Sequence, residues 1–355
     1  MPSLTAMIGT TFLIVLWQGG HQLLRGQISL GALIAFNGYL TQLVWPMIAL
    51  GWVTNIFQRG AASMGRLNYI LTAQPSIDDR EAKISKEVMP QGEIEFRSLN
   101  FTYPTTLAGG SKNGKARANG PEKHAVLRNI SLKVPAGSTL AIVGPTGSGK
   151  TTLAALVARL WEAPDGSVLL DGKPLREWPL ETLRRAIGFV PQDTYLFGET
   201  VGGNIAFGLS DIDHARVRES AEIANLDGDV QAFTEKYETM VGERGITLSG
   251  GQRQRTAIAR AVARDPRILI LDDSLSAVDT QTEERILQRL SGVMEGRTTI
   301  LISHRTSTVK DADQIVVLVD GGIAECGTHD ELLNRGGYYA DLYQKQLLEE
   351  ELERA

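Results

Sequence analysis

Eight consecutive residues, Gly144-Pro145-Thr146-Gly147-Ser148-Gly149-Lys150-Thr151, have the types and spacing of a loop that holds phosphate. Glycines let the backbone turn tightly, so that N–H groups converge on an anion with no side chain in the way. Lys150 can reach β and γ phosphates, and the Thr151 hydroxyl is a ligand for Mg²⁺. Thr139 to Val143 is a continuous apolar run, suited to a strand buried on both faces, and a helix-compatible segment, Thr151 to Trp161, follows the loop. Strand, glycine loop and helix in that order set the phosphates at a helix N-terminus. A second such run, Arg267 to Asp272, ends in a carboxylate. By itself Asp272 is a polar strand end; beside a phosphate loop it is the residue that holds the metal, usually through water.

These groups need elements to position them. Ile94, Phe96, Phe101 and Tyr103, with Val126 to Val134, read as strands of an antiparallel sheet. Thr298 to Ile302 and Gln314 to Val319 read as further strands, Gly321-Gly322 as a hairpin turn and His329 to Leu333 as a short helix. Between the first strands, Thr105 to His124 is rich in Gly, Asn and Lys without periodicity and reads as an exposed loop. The end, Glu349 to Arg354, reads as a solvated helical tail.

The chain has 355 residues, a net charge of -5 and one cysteine, Cys326. That length accommodates two domains, the charge gives no reason to expect nucleic acid, and a lone cysteine excludes an internal disulfide framework. The polarity is uneven. No residue is charged from Met1 to Gly20 or from Gly26 to Gln58, whereas acids and bases recur every few residues after Arg59. Each uncharged stretch meets the roughly 20 apolar residues that a helical membrane span requires. His21 to Gln27 reads as a polar turn between them, and Trp45-Pro46 as a local kink. Asn37, Gln42 and Asn55 are costly facing lipid, so they are expected against other helices or a water-filled cavity. A signal peptide fits poorly, because no basic residue precedes the first apolar run and no small-residue cleavage pattern follows it. Arg59 and Arg66 after the second span put the C-terminal side in the cytosol.

Leu248-Ser249-Gly250-Gly251-Gln252, running on into Arg253-Gln254-Arg255, resembles the signature of the ATP-binding cassette (ABC) family. In that family the signature caps nucleotide held by a facing subunit, which fits a helix N-terminus offering amides to an anion. The resemblance implies ATP and Mg²⁺ as cofactors, with ATP held by Tyr103, which resembles the aromatic stacked on adenine, and by Gly144 through Thr152. It implies Thr151, Gln192 and Asp272 at the metal, and catalytic roles for Gln192, Asp273 and His304. Ser276-Ala277-Val278-Asp279 resembles the loop that contacts the second cassette. Gln192, and Glu243 in Val241-Gly-Glu-Arg-Gly, resemble positions that couple to the membrane domain in exporters.

The implied architecture has two parts. A short all-α transmembrane segment of two helices precedes an α/β phosphate-loop NTPase domain of ABC type, with an antiparallel β subdomain and a helical subdomain bearing the signature. The boundaries expected are 1-71 for two exporter helices and their cytosolic extension, 72-91 for a linker, 92-340 for the nucleotide-binding domain and 341-355 for the charged tail. Exporters of this type carry six such helices, so about four would precede Met1. The resemblance also implies a multi-pass subunit of the plasma or inner membrane, its nucleotide-binding domain cytoplasmic, paired with a second half-transporter and moving a substrate the sequence does not reveal.

One position departs from the pattern. After the metal carboxylate the family has glutamate as general base; here it is Asp273. Its carboxylate sits about 1.5 Å back, and a 1 Å misplacement costs around a hundredfold in rate. With an intact signature, this resembles the weakened-site subunit of a heterodimeric exporter. The alternatives are a nucleotide-binding regulatory subunit with negligible hydrolysis, a homodimer that uses Asp as base, and a soluble cassette protein, which the apolar N-terminus disfavours.

Overall fold

The computed structural model describes residues 2–104, 125–242 and 245–354. The chain divides into two compact units, Met1–Pro75 and Ser76–Ala355. The expected loop at 105–124 and the coupling residue Glu243 lie outside the described residues.

The first unit is two helices, α1 (Pro2–Leu24) and α2 (Leu30–Leu71). Ser29 caps α2, its hydroxyl accepting the Ala32 N–H at 3.2 Å. Where the sequence predicts a turn from His21 to Gln27, α1 continues to Leu24, and the reversal falls on the next few residues with Gly26 at φ +71°. Gly19 lets the helices close, since a Cβ there would lie 2.4 Å from Leu33 Cδ1. Pro46 sits inside an unbroken α2, because a missing N–H removes one hydrogen bond and leaves the rest of the ladder. At 42 residues α2 is about 63 Å long, twice the ~30 Å of a bilayer core. Among the described residues, α2 is the one helix long and apolar enough to cross a membrane. The other expected span, α1, is not among the helices that meet that measure.

The second unit is built on two sheets. Strands β1 (Ile94–Phe101), β2 (Leu127–Val134), β4 (Val168–Leu170) and β5 (Lys173–Pro174) form an antiparallel sheet in the order β2-β1-β4-β5. The other sheet contains β3 (Thr139–Val143), β6 (Ile187–Val190), β7 (Ile268–Asp272), β8 (Thr298–Ile302), β9 (Gln314–Val319) and β10 (Gly322–Gly327), in the order β10-β9-β3-β8-β7-β6. It is parallel except for the β9–β10 hairpin. Alternate residues of one strand enter different cores. Leu140 and Ile142 join the core shared with the antiparallel sheet, while Ala141 and Val143 face the core of the helical region. Burial on both faces explains why these strands read as unbroken apolar runs.

The helices are α3 (Lys150–Val157), α4 (Leu180–Ala186), α5 (Val201–Ala206), α6 (His214–Ile223), α7 (Asp227–Ala232), α8 (Gly250–Ala263), α9 (Thr280–Met294), α10 (Thr306–Val309), α11 (His329–Arg335) and α12 (Tyr338–Arg354). Residues 76–91, read as linker, carry no helix or strand but are fastened along the second unit. Asp171 accepts the N–H groups of Gln91, Gly92 and Glu93 at 2.7, 3.0 and 2.9 Å, and Asp79 accepts from Leu180 N at 2.8 Å. The C-terminal helix, whose end (Glu349 to Arg354) is expected as a solvated tail, begins in the core, with Tyr339 fully buried.

Candidate nucleotide site

The parallel sheet brings the chemistry to one edge. In register, Ile302 of β8 pairs with Ile142 of β3 on one side and Asp272 of β7 on the other. The phosphate loop, Asp272-Asp273 and His304 therefore leave neighbouring strands at their C-terminal ends, where open α/β sheets bind ligands.

The loop depends on its glycines. Gly144 (φ +144°) passes against β9, and a Cβ there would sit 2.1 Å from the Leu318 carbonyl oxygen. Gly149 (φ +100°) is the N-cap of α3 and supplies no side-chain cap, so the first N–H groups of the helix are left for an anion. Lys150 is buried and folds back, Nζ donating to the carbonyls of Gly144 and Pro145 at 2.8 and 2.9 Å. Burial pushes its ammonium below the ordinary lysine range, against the pull of Asp272 and Asp273. A phosphate would replace those carbonyls with a full counter-charge. Lys150→Met is therefore expected to weaken ATP binding at least about tenfold, the scale of one charge-assisted contact. Equilibrium titration with a fluorescent ATP analogue measures it.

Asp272 is buried, and its Oδ1 accepts from Thr151 Oγ1 at 3.2 Å. Burial raises its pKa, and the neighbouring Asp273 charge adds to that, opposed by Thr151 and Lys150. Its Oδ2 is buried with no partner, as is Ser148 Oγ. An orphaned carboxylate oxygen beside a threonine hydroxyl fits a hard cation such as Mg²⁺, which takes one or two protein oxygens and fills its shell with water and substrate phosphates. No cluster of three His, Cys, Asp or Glu occurs among the described residues, so that donor set suits a metal arriving with its nucleotide. Bound there, Mg²⁺ would neutralise charge on the phosphates; Thr151 and Asp272 are the residues placed to hold it.

Gln192, expected at the metal, points to the next carboxylate, its Nε2 donating to Asp273 Oδ2 at 3.4 Å. Asp273 is half-buried and left-handed (φ +46°), with its N–H donated to the Ile302 carbonyl. His304 is exposed and borders a cavity of about 160 Å³ with Asp273, Ser274, Glu283 and Arg305. Tyr103 lies just past β1, its hydroxyl 2.9 Å from Thr152 Oγ1 and its ring edge-on to Trp161 at 4.9 Å. Trp161, not singled out by spacing or motif, packs edge-to-face against Tyr103.

The signature opens α8. Ser249 is its N-cap, in a capping box with Gln252: Ser249 Oγ accepts Gln252 N–H at 3.2 Å and Gln252 Oε1 accepts Ser249 N–H at 3.0 Å. Leu248 is buried beneath it, and Gly250 and Gly251 pass close to Ala277 and Val278 of the loop 276–279. Asp279 ends that loop as the N-cap of α9, accepting from Thr282 N at 2.9 Å. Gln254, buried and given no role of its own by the sequence, joins the two segments. Its Nε2 donates to Ser276 Oγ at 3.2 Å and its Oε1 accepts Ala277 N–H at 2.9 Å. Ser276 Oγ in turn donates to the Asp273 carbonyl at 2.9 Å. Loop 276–279 thus connects the Asp272-Asp273 pair at the end of β7 to the signature helix within one chain.

Residues 127–276, from β2 through the signature to Ser276, match the family model described as ABC transporter. The chain carries an ABC transporter domain. It is 40% identical over 98% of its length to a probable multidrug resistance ABC transporter ATP-binding/permease protein of Bacillus subtilis. It is 38% identical over 99% of its length to an ATP-dependent lipid A-core flippase of Syntrophus aciditrophicus. It covers 56% and 55% of those two proteins, so the chain spans about half the length of the curated relatives it matches. Among solved structures, a bacterial Atm1-family ABC exporter with ATP bound superposes with a TM-score of 0.73 at 34% identity, over 97% of this chain and 57% of that one. The ABC domain and the helical part ahead of it are therefore similar to those of an ABC exporter.

Proposed function

We propose that this chain is the ATP-binding and ATP-hydrolysing part of an ABC exporter subunit, with a weakened hydrolytic site of its own. The observation that carries the ATPase reading is the buried, half-unpaired Asp272 carboxylate beside Thr151 and behind the Lys150 loop. The long apolar α2 supports a membrane-embedded subunit, which we read as multi-pass with its ABC domain in the cytosol. Names of the two relatives, a multidrug resistance transporter and a lipid flippase, favour an amphipathic cargo. The partner is a second half-transporter facing Ser249 and the loop 276–279, so that each cassette completes the other's site. Tyr103 and Gly144 through Thr152 hold nucleotide, and Gln192, with Glu243 beyond the described residues, couples to the membrane domain.

Asp273 supports the weakened-site reading. Its short side chain reaches Gln192 only at 3.4 Å, the outer limit for such a bond, and one further methylene would carry a carboxylate forward into the site. The pairing is then a heterodimer, in which a partner's glutamate works opposite this chain's intact signature. In the full-length protein with its partner, Asp273→Glu is expected to raise turnover per dimer about twofold or more, as a second site becomes competent. Steady-state phosphate release measures it, and an unchanged rate contradicts the reading. A subunit that binds without hydrolysing differs only at this residue: single-turnover hydrolysis with the partner's base removed would then be nil.

A further inference from the structure

The loop carrying His304 is gripped from the far end of the chain. We infer that Gln346, on α12, is a positioning residue that sets where His304 stands, which rests on the ATPase reading above.

Its amide uses both ends. Oε1 accepts the Thr306 N–H at 2.7 Å and the Thr306 hydroxyl at 2.8 Å, while Nε2 donates to the His304 carbonyl at 2.6 Å. A backbone N–H only donates and a backbone carbonyl only accepts, so these partners fix the orientation of the amide. Thr306 opens α10, whose N-cap residue, Arg305, supplies no side-chain cap. Gln346 caps that helix from α12. On the loop's other side, Glu283 of α9, nearly fully buried, accepts from Arg305 Nη1 and Thr308 Oγ1. Residues 304–308 are thus pinned on two sides, while the His304 ring remains exposed at the cavity it shares with Asp273. Among the described residues, the hydrogen bond on His304 itself is the one from Gln346 to its carbonyl. The α12 helix that carries Gln346 is anchored by fully buried Tyr339, whose hydroxyl lies 2.8 Å from His329 Nδ1. A displacement of α12 therefore moves the histidine.

Two substitutions separate positioning from capping. Gln346→Ala removes all three bonds, whereas Gln346→Glu keeps an acceptor for Thr306 and sets a negative charge against the His304 carbonyl. In the full-length protein, Gln346→Ala is expected to lower kcat about tenfold or more, given the cost of an ångström of misplacement, with KM for ATP within about twofold. Hydrogen exchange of residues 303–309 should quicken in Gln346→Ala and return towards the parent rate in Gln346→Glu, while kcat stays low in both. Adding Gln346→Ala to His304→Ala should cost no further rate, because the group being positioned is gone. Wild-type kcat in Gln346→Ala, recovery of kcat in Gln346→Glu, or additive losses in the double variant would each overturn the inference. If His304→Ala alone leaves kcat unchanged, the catalytic reading of His304 fails and takes the positioning role with it. That result is distinct from an impaired His304→Ala beside an unimpaired Gln346→Ala.

Discussion

Asp272→Asn is expected to abolish most ATP turnover and at the same time to make the nucleotide-free protein more stable. The rate should fall about a hundredfold or more, the scale of removing one charged group from a dry site. The stability gain follows from burial. Asp272 is 1% exposed, its Oδ2 has no partner, and burial raises its pKa above the ordinary aspartate range. A carboxyl whose folded pKa is raised favours the fold below its unfolded pKa and loses that contribution as pH rises through the folded value. At pH 7 the penalty of the buried charge is therefore fully present, and the neutral amide removes it. The melting temperature should rise by about 2–4 °C for each kcal/mol relieved. The difference between variant and parent should shrink as pH falls through the carboxyl's raised folded value, where the parent also becomes neutral. A thermal melt series across pH, without nucleotide, tests the sign. A lower melting temperature at pH 7 would mean that attraction to Lys150 outweighs burial.

Gly144→Ala should be the most damaging single methyl group in the phosphate loop. The position holds φ +144°, and the new Cβ would meet the Leu318 carbonyl oxygen at 2.1 Å, with Ser148 Oγ at 3.2 Å. Relief requires moving the backbone of β9 or of the loop, at about 3 kcal/mol or more. That corresponds to a fall of about 6–12 °C in melting temperature. ATP binding should be lost as well, because the loop amides no longer converge. Gly147→Ala is the control. That residue is also left-handed (φ +83°), but nothing lies within 4 Å of its Cβ position, so it should cost only about 1–2 kcal/mol of backbone strain. Equal losses in both variants would mean that backbone conformation, and not the approach to Leu318, sets the cost.

How legible each part was follows from the kind of interaction that holds it. Thr298–Ile302 and Gln314–Val319 are strands over the residues the sequence suggests, since burial on both faces writes itself as an unbroken apolar run. Gly321, at φ +80°, makes the hairpin turn its type announces. The phosphate loop, Asp272 and the signature were legible as local motifs bound to strand ends and helix starts. Long-range polar contacts leave no such periodic trace. Asp171 fastening residues 91–93, Gln254 tying α8 to Ala277, and Gln346 gripping His304 are each one polar side chain among many. Nothing in the linker's composition announces that Asp171 and Asp79 fasten it along the second unit. At the N-terminus, the polar types of His21 and Gln22 suggested a turn, but helix geometry carries α1 to Leu24 before Gly26 reverses the chain. Nor does spacing disclose Trp161 beside Tyr103, because one stands past a strand and the other past a helix.

The central claim is that this chain's own site holds ATP through Lys150 and spends it slowly through Asp273. The most direct measurement is photolabelling of the full-length protein and its partner with 8-azido-ATP carrying an α-phosphate label, under steady turnover in lipid nanodiscs. The nucleotide attached to this chain is then released and identified. The expected result is label that is predominantly triphosphate and that disappears with Lys150→Met. Predominantly diphosphate on this chain, or label that survives Lys150→Met, would contradict the account.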